Sequence, residues 1–395
     1  SDFEKAFRQI GCQTRYLIEK NDSQFLSSEY VWQQLGDFRP DVFFSISHAR
    51  ASAPFLPREL PYICYMQDRC GPLQELPSLR EAITGQDLFI CLCRVYSQIL
   101  GEKGVPDRQK FIMPVPVEET LFYPLPPEHP ELARYRAEVS FVKHGCGDVK
   151  QQFAEFVEKY LSPLEQADWQ KVIQEAFTQL FQTYCRDEDR RVYEPELLQF
   201  VLSRIPHPLH EKGRWLVEQL TAIFSTVVHS TAWRCQFLQA IREAGIELAL
   251  YGNDWEKHPQ LHMLSRGPVD REKDLNWVYN GSKINLHINH AGTMHQRLVE
   301  CGLAGGFIMA ADHPVEEDWG PARPYFEEGR ELVFFDTKKD LVEKCRYYLA
   351  YDDQRRQIAA NLRKRVLAGH TCRIAAQKVL ERWRLLLAAP EQAKD

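Results

Sequence analysis

"AGTMHQRLVECGLAGGFIMAADHP", residues 291–314, is the stretch that decides the fold. Gly292 sits in a short loop, a helix is expected from about Thr293 to Ala304, Gly305-Gly306 stop it, and a buried strand follows. Met294, Leu298, Cys301 and Gly305 recur at i, i+4, i+7 and i+11, which marks the packed face. Thr293, Arg297, Glu300 and Ala304 form a different stripe. An arginine and a glutamate side by side behind a glycine loop are candidates for holding a ligand. The bland alternative is a solvated carboxylate paired with its neighbour.

Upstream of this stretch, "AGIELALYG" (244–252) reads as a helix stop, a strand and a glycine at the strand's carboxyl end. Ligands of open α/β sheets bind beside such ends. The N-terminal part alternates in the same way. "DFEKAFRQIG" is a helix with Phe3, Phe7 and Ile10 on one face, and short apolar runs follow: "TRYLI", "DVFFSIS" (41–47), "YICYMQD" (62–68), "LFICL" (88–92) and "KFIMPVPV" (110–117). Apolar runs without clean alternation suggest parallel strands covered on both faces. Because this part opens on a helix, one strand of the sheet is expected to be missing before Asp2. "YPLPPEHPELARY" (123–135), with four prolines, reads as an interdomain linker. "EVSFVKHGCGD" (138–148) opens the second domain, and from about 149 to 224 only helical periodicity is found. The expected organisation is a Rossmann-like domain at 1–130, a second at 131–375 carrying the helical insertion, and a helix at 376–395 crossing back to the first.

The bulk numbers bound the function. A chain of 395 residues with 44% apolar and 26% charged residues is a globular protein of two domains. Lys+Arg 49 against Asp+Glu 55 gives a net charge of −6, which argues against nucleic acid or an anionic membrane surface as the main partner. No run approaches the roughly 18 apolar residues of a membrane span, and no secretory leader is read. Eleven cysteines without a CxxC pair are expected to be reduced thiols in a cytoplasmic protein, with no zinc site.

The order "LALYGNDW … GPV … LNWVYNGSKINLHI … HQRLVECGLAGGFIMAADHP … YLAYDDQRRQIAANLRKRVLAGHTCRIAAQKVL" is similar to the CgeB-type, glycosyltransferase-group-1-like proteins of the GT-B fold. That resemblance implies α/β architecture with two Rossmann-like domains facing a cleft. It also implies transfer of a sugar from a nucleoside diphosphate sugar, expected to be UDP-linked, to a hydroxyl on a protein or cell-surface glycan, without a metal. Position by position, Glu300 would hold the ribose hydroxyls. Gly292, Thr293 and Met294 would enter the helix facing the diphosphate, and Arg297 would add a charge-assisted contact. Gly267, Pro268 and Val269 would read the base, while Lys143, Gly145 and Gly147 would approach the phosphates; Gly252, at its strand's carboxyl end, is a further candidate for the ligand. Gly145 and Gly147 alone are equally a turn. The retaining pattern has an acidic residue eight positions before the glutamate; here position 292 is glycine, so the stereochemical outcome is not inherited.

On the acceptor side, His48 follows "DVFFSIS" and Asp68 ends "YICYMQD". Both are expected at strand ends facing the cleft, as catalytic base and orienting group, or else as structural residues. "DVFFSIS" is apolar enough to be expected at the centre of its sheet. The helical insertion could contact a partner or the acceptor. Two other functions stay open on the sequence: a GT-B-fold binding or structural protein without turnover, and a sugar-nucleotide epimerase.

Overall fold

The structure is a computed structural model that describes residues 2–18, 26–67, 78–145, 147–164, 167–185, 192–205, 211–290, 292–313 and 320–388. Two parallel sheets form it. The first contains β1 (Phe43–Ile46), β2 (Tyr62–Met66), β3 (Leu88–Cys91) and β4 (Lys110–Ile112) in the order β1-β2-β3-β4. The second contains β5 (Ala137–Val142), β6 (Leu248–Tyr251), β7 (Ser282–His287), β8 (Ile308–Ala311) and β9 (Val333–Phe335) in the order β6-β5-β7-β8-β9. The expected α/β architecture with two parallel sheets is found.

The apolar runs become strands because both faces of each sheet are covered. In β2, Tyr62, Cys64 and Met66 join one core cluster while Ile63 and Tyr65 join another. That is the two-residue alternation of a strand with a core on each side. The second sheet divides likewise, with Val139 and Phe141 on one face and Ala249 and Tyr251 on the other.

Two expectations about the first domain change. "TRYLI" forms no strand, and Tyr16 and Ile18 are exposed. β1 is not central: it pairs only with β2 among the described residues, and none of its four residues is buried. A run of aromatic residues identifies a strand but not its neighbours. Phe44 instead packs edge-on against Phe7 and at 5.0 Å from Phe3, under the helix Asp2–Gln9.

The domains are tied by two crossings that touch. Val117 accepts from Cys372 N at 2.9 Å and donates to the His370 carbonyl at 3.0 Å. The proline-rich linker is pinned to the helix Leu275–Gly281, since Tyr123 N donates to Asn276 Oδ1 and Leu125 N to Asn280 Oδ1. The last helix, Cys372–Ala388, packs Ala375, Val379 and Leu386 with Phe3 and the β2 and β3 residues Ile63, Tyr65 and Ile90.

Residues 149–224 hold the helices Val149–Phe156, Ala167–Tyr184, Glu194–Leu202 and Glu211–Phe224. They enclose their own core, in which Phe153 stacks on Phe181 at 4.4 Å between ring centroids. A π-helical turn, Ser225–His229, runs from the last of these into the helix Ser230–Glu243 that leads to β6. The insertion therefore sits in the first crossover of the second domain.

Candidate functional site

Strand order chooses the place. From β5 the chain steps to β6 on one side and then returns past β5 to β7 on the other. Loops leaving β5 and β7 therefore part to opposite faces and leave a crevice at the carboxyl ends. A cavity of about 410 Å³ opens there, lined by Lys143 after β5, Gly252 after β6, Pro268 and Val269, and Arg297 and Glu300 beyond β7. Three cations, Lys143, Arg271 and Arg297, face one carboxylate among its lining residues. Such a wall favours an anion.

The helix over the cavity spans Gln296–Ala304 and starts later than Thr293 because its N-cap is His295. The His295 backbone is extended, and its Nδ1 accepts from Arg297 N at 3.2 Å. Acceptance at Nδ1 puts the neutral ring's proton on Nε2. Burial, then Arg297 and Lys143, push the His295 pKa down to about 3, so the ring stays neutral. His287, buried with its ring 5.3 Å from His295, is held well below the ordinary histidine value by burial first and His295 next. Gly305 ends the helix in the left-handed conformation, as expected.

Glu300 is 2% exposed, far from a solvated helix carboxylate. Its Oε1 accepts from Arg271 Nε at 2.7 Å and its Oε2 from Tyr279 OH at 3.2 Å. Burial raises its pKa, with Arg271 the leading opposition. Burial also works against the Arg271 charge, but Glu300 and Asp2 outweigh it and hold that pKa above the ordinary arginine value. A carboxylate has about four lone-pair positions. Arg271 and Tyr279 occupy two, which leaves capacity for a pair of hydroxyl donors.

The glycines at the strand ends are fixed by close approach. A Cβ on Gly252, whose φ is +133°, would lie 2.3 Å from the Lys143 carbonyl oxygen. A Cβ on Gly145 would meet Trp255 at 2.7 Å, so that glycine is explained by packing and does not line the cavity. Gly267 lies just behind the wall; its carbonyl accepts from Gly252 N at 2.9 Å and sets Pro268 and Val269 facing the cavity.

Of the residues singled out in the sequence, Lys143, Gly252, Pro268, Val269, Arg297 and Glu300 come together. Gly292, Thr293 and Met294 do not line the cavity; they are buried, and Met294 packs against Leu298 and Val299 in a core cluster. His48 is exposed at the turn after β1, outside the cavity, with Nδ1 2.8 Å from the Ile46 carbonyl. Arg50 is not free for a ligand, since it is buried and doubly bonded to Asp87. Asp68 lies outside the described residues. Sequence reasoning missed Arg271 and His295. A loop arginine carries no periodicity, and histidine is not a usual N-cap type. No group of three His, Cys, Asp or Glu side chains among the described residues could hold a metal ion.

Residues 234–381 match the family model described as glycosyl transferase-like. This segment resembles a glycosyltransferase domain. It contributes every lining residue of the cavity except Val142, Lys143 and His144, at the end of β5. Among solved structures, the chain is similar to a glycosyltransferase from Rickettsia africae ESF-5 (12% identity, 94% of this chain and 85% of that one, TM-score 0.48). It is also similar to sucrose-phosphate synthase from Thermosynechococcus elongatus (12%, 92% and 78%, 0.46). A third is the Anabaena protein HepE in complex with UDP and glucose (11%, 92% and 81%, 0.47). Likenesses this distant say nothing about substrate. No curated protein matches the chain.

Proposed function

We propose that the protein transfers a sugar from a UDP-linked donor to a hydroxyl of a protein or cell-surface glycan. The observation that carries this is the cavity at the β5–β7 crevice, with three cations and one buried carboxylate on its wall. Glu300 accepts the two ribose hydroxyls, which a carboxylate can do at once. Lys143, Arg297 and the positive end of the Gln296–Ala304 helix hold the diphosphate. Pro268 and Val269 lie against the base. The acceptor oxygen bonds to the anomeric carbon, the bond from that carbon to the diphosphate breaks, and the diphosphate leaves with the electron pair. Its growing charge falls on groups already in place, so no metal is required. His48 is proposed to take the acceptor's proton. With Nδ1 donating to the Ile46 carbonyl, Nε2 is the nitrogen left to accept.

The nine described cysteines are free thiols, which supports a reducing, cytoplasmic setting. No described helix is long and apolar enough to cross a membrane. The insertion and the π-helical turn after it meet the loops at the carboxyl ends of the second sheet, with Tyr193 OH 3.2 Å from His313 Nδ1 and Ser225 Oγ 3.2 Å from His290 Nε2. It also leaves Trp215 61% exposed, and we assign it a role in recognising the acceptor or a partner. Trp215→Ala should then weaken use of the natural acceptor and leave nucleotide affinity alone. Unchanged acceptor use would remove that role.

Isothermal titration with several nucleoside diphosphates, followed by product analysis with and without an acceptor and with a chelator, tests the reading. Binding, transfer that needs the acceptor, and indifference to the chelator are expected. A protein that binds no nucleotide would be a structural relic, and a donor altered without acceptor would make it an epimerase.

A further inference from the structure

Arg271 sits in the turn before the helix Leu275–Gly281 and yet reaches three separate parts of the molecule. Its Nε donates to Glu300 in the cavity at 2.7 Å, and its terminal nitrogen donates to Asp2 at 3.0 Å. The guanidinium carbon lies 5.7 Å from the ring centre of Phe122, in the connection between the domains. Asp2 opens the helix Asp2–Gln9, which covers the first sheet beside the last helix. Neutralising the buried Glu300 would need one contact only. The second carboxylate, 269 positions away in sequence, makes the guanidinium a bridge between the donor cavity and the first domain.

A planar guanidinium has its donors in a fixed fork, so holding one carboxylate limits where the other can sit. Glu300 is 3% exposed at its side chain, Arg271 33% and Asp2 24%, so the bridge runs from the buried site toward the rim. Losing the Asp2 contact frees Arg271 to turn and lets Glu300 drift. A ligand that fixes Glu300 must, by the reciprocity of coupled equilibria, also hold the Asp2–Gln9 helix in place.

We propose that Arg271 is a positioning residue that couples donor binding to the docking of the N-terminal helix. The proposal rests on the donor reading of the cavity. It is tested with a double-mutant cycle read by titration with UDP. Asp2→Asn, outside the cavity, weakens binding about fivefold, the lower end of ordinary coupling. Arg271→Lys keeps a charge for Glu300 but cannot fork to both carboxylates. In that background Asp2→Asn costs nothing further. Equal affinity of Asp2→Asn and wild type, or a loss that persists beside Arg271→Lys, overturns the coupling. Hydrogen exchange separates this from failure of the donor reading. If wild type binds no nucleoside diphosphate, the donor reading falls, and with it the ligand half of the proposal. Amides of residues 3–9 then decide the bridge: faster exchange in Arg271→Lys supports it, and unchanged exchange refutes it.

Discussion

The first sheet runs β1-β2-β3-β4 in chain order, whereas the second runs β6-β5-β7-β8-β9. Both are parallel, both are covered on two faces, and both are made of similar apolar runs. Among the described strands only the second order reverses direction, and at that reversal neighbouring loops part to leave a crevice. The cavity with Lys143, Arg297 and Glu300 lies at that reversal. At the corresponding end of β1 the side chain offered is an exposed His48. Strand order, rather than apolar content, separates the sheet that carries the candidate site from the other.

Removing the two anion-facing cations should have the largest effect. The pair Lys143→Ala and Arg297→Ala is expected to weaken UDP binding by about 3–5 kcal/mol, from charge-assisted contacts of about 1.5–3 kcal/mol each. His48→Ala should shift the same titration by less than about 0.5 kcal/mol while reducing transfer. An equal loss of affinity in both variants would erase the distinction between the sheets.

Gly252→Ala comes next, with a loss of stability of about 2–3 kcal/mol, because its Cβ has no room beside the Lys143 carbonyl. Gly36→Ala, in the helix Ser28–Phe38 of the first domain, has open space and should be neutral or slightly stabilising. Denaturant midpoints of the two variants make the comparison. Similar midpoints would mean that the ligand end of the second sheet is not packed as described.

Glu300→Gln keeps the shape of the side chain, removes its charge and should cost about 2 kcal/mol of nucleotide affinity. Unchanged affinity would take the ribose away from Glu300.

The smallest expected effect concerns acid. His295 titrates near 3 when folded and near its ordinary 6.5 when unfolded. Between those values the unfolded chain binds the extra proton, so this contribution is present above about pH 6.5 and is lost as pH falls toward 3. His295→Asn keeps an N-cap and removes the titration. Its melting temperature should therefore fall less between pH 7 and 5 than that of wild type. Parallel curves would show that His295 is not buried as described.

Much of this was legible in residues 291–314. The Gly305 stop and the strand after it follow from periodicity and from the one residue type that suits a left-handed stop, whereas the burial of Glu300 does not, since periodicity puts it off the packed face. Helical periodicity also marked the insertion. The start of the helix was not legible, because Thr293 is the better cap by type. The cap is His295, chosen by the packing of Thr293 and Met294 into the core. The edge position of β1 was hidden for a related reason, since "DVFFSIS" says strand without saying what lies beside it. Arg271 could not be read at all; its partners, Asp2 and Glu300, are joined to it only by the folded chain.

A crystal structure with UDP bound tests the central claim most directly. The account predicts the diphosphate between Lys143 and Arg297, at the carboxyl ends of β5 and β7, with the ribose hydroxyls bonded to Glu300. Nucleotide at the ends of β1–β4, or a ribose out of reach of Glu300, would contradict it.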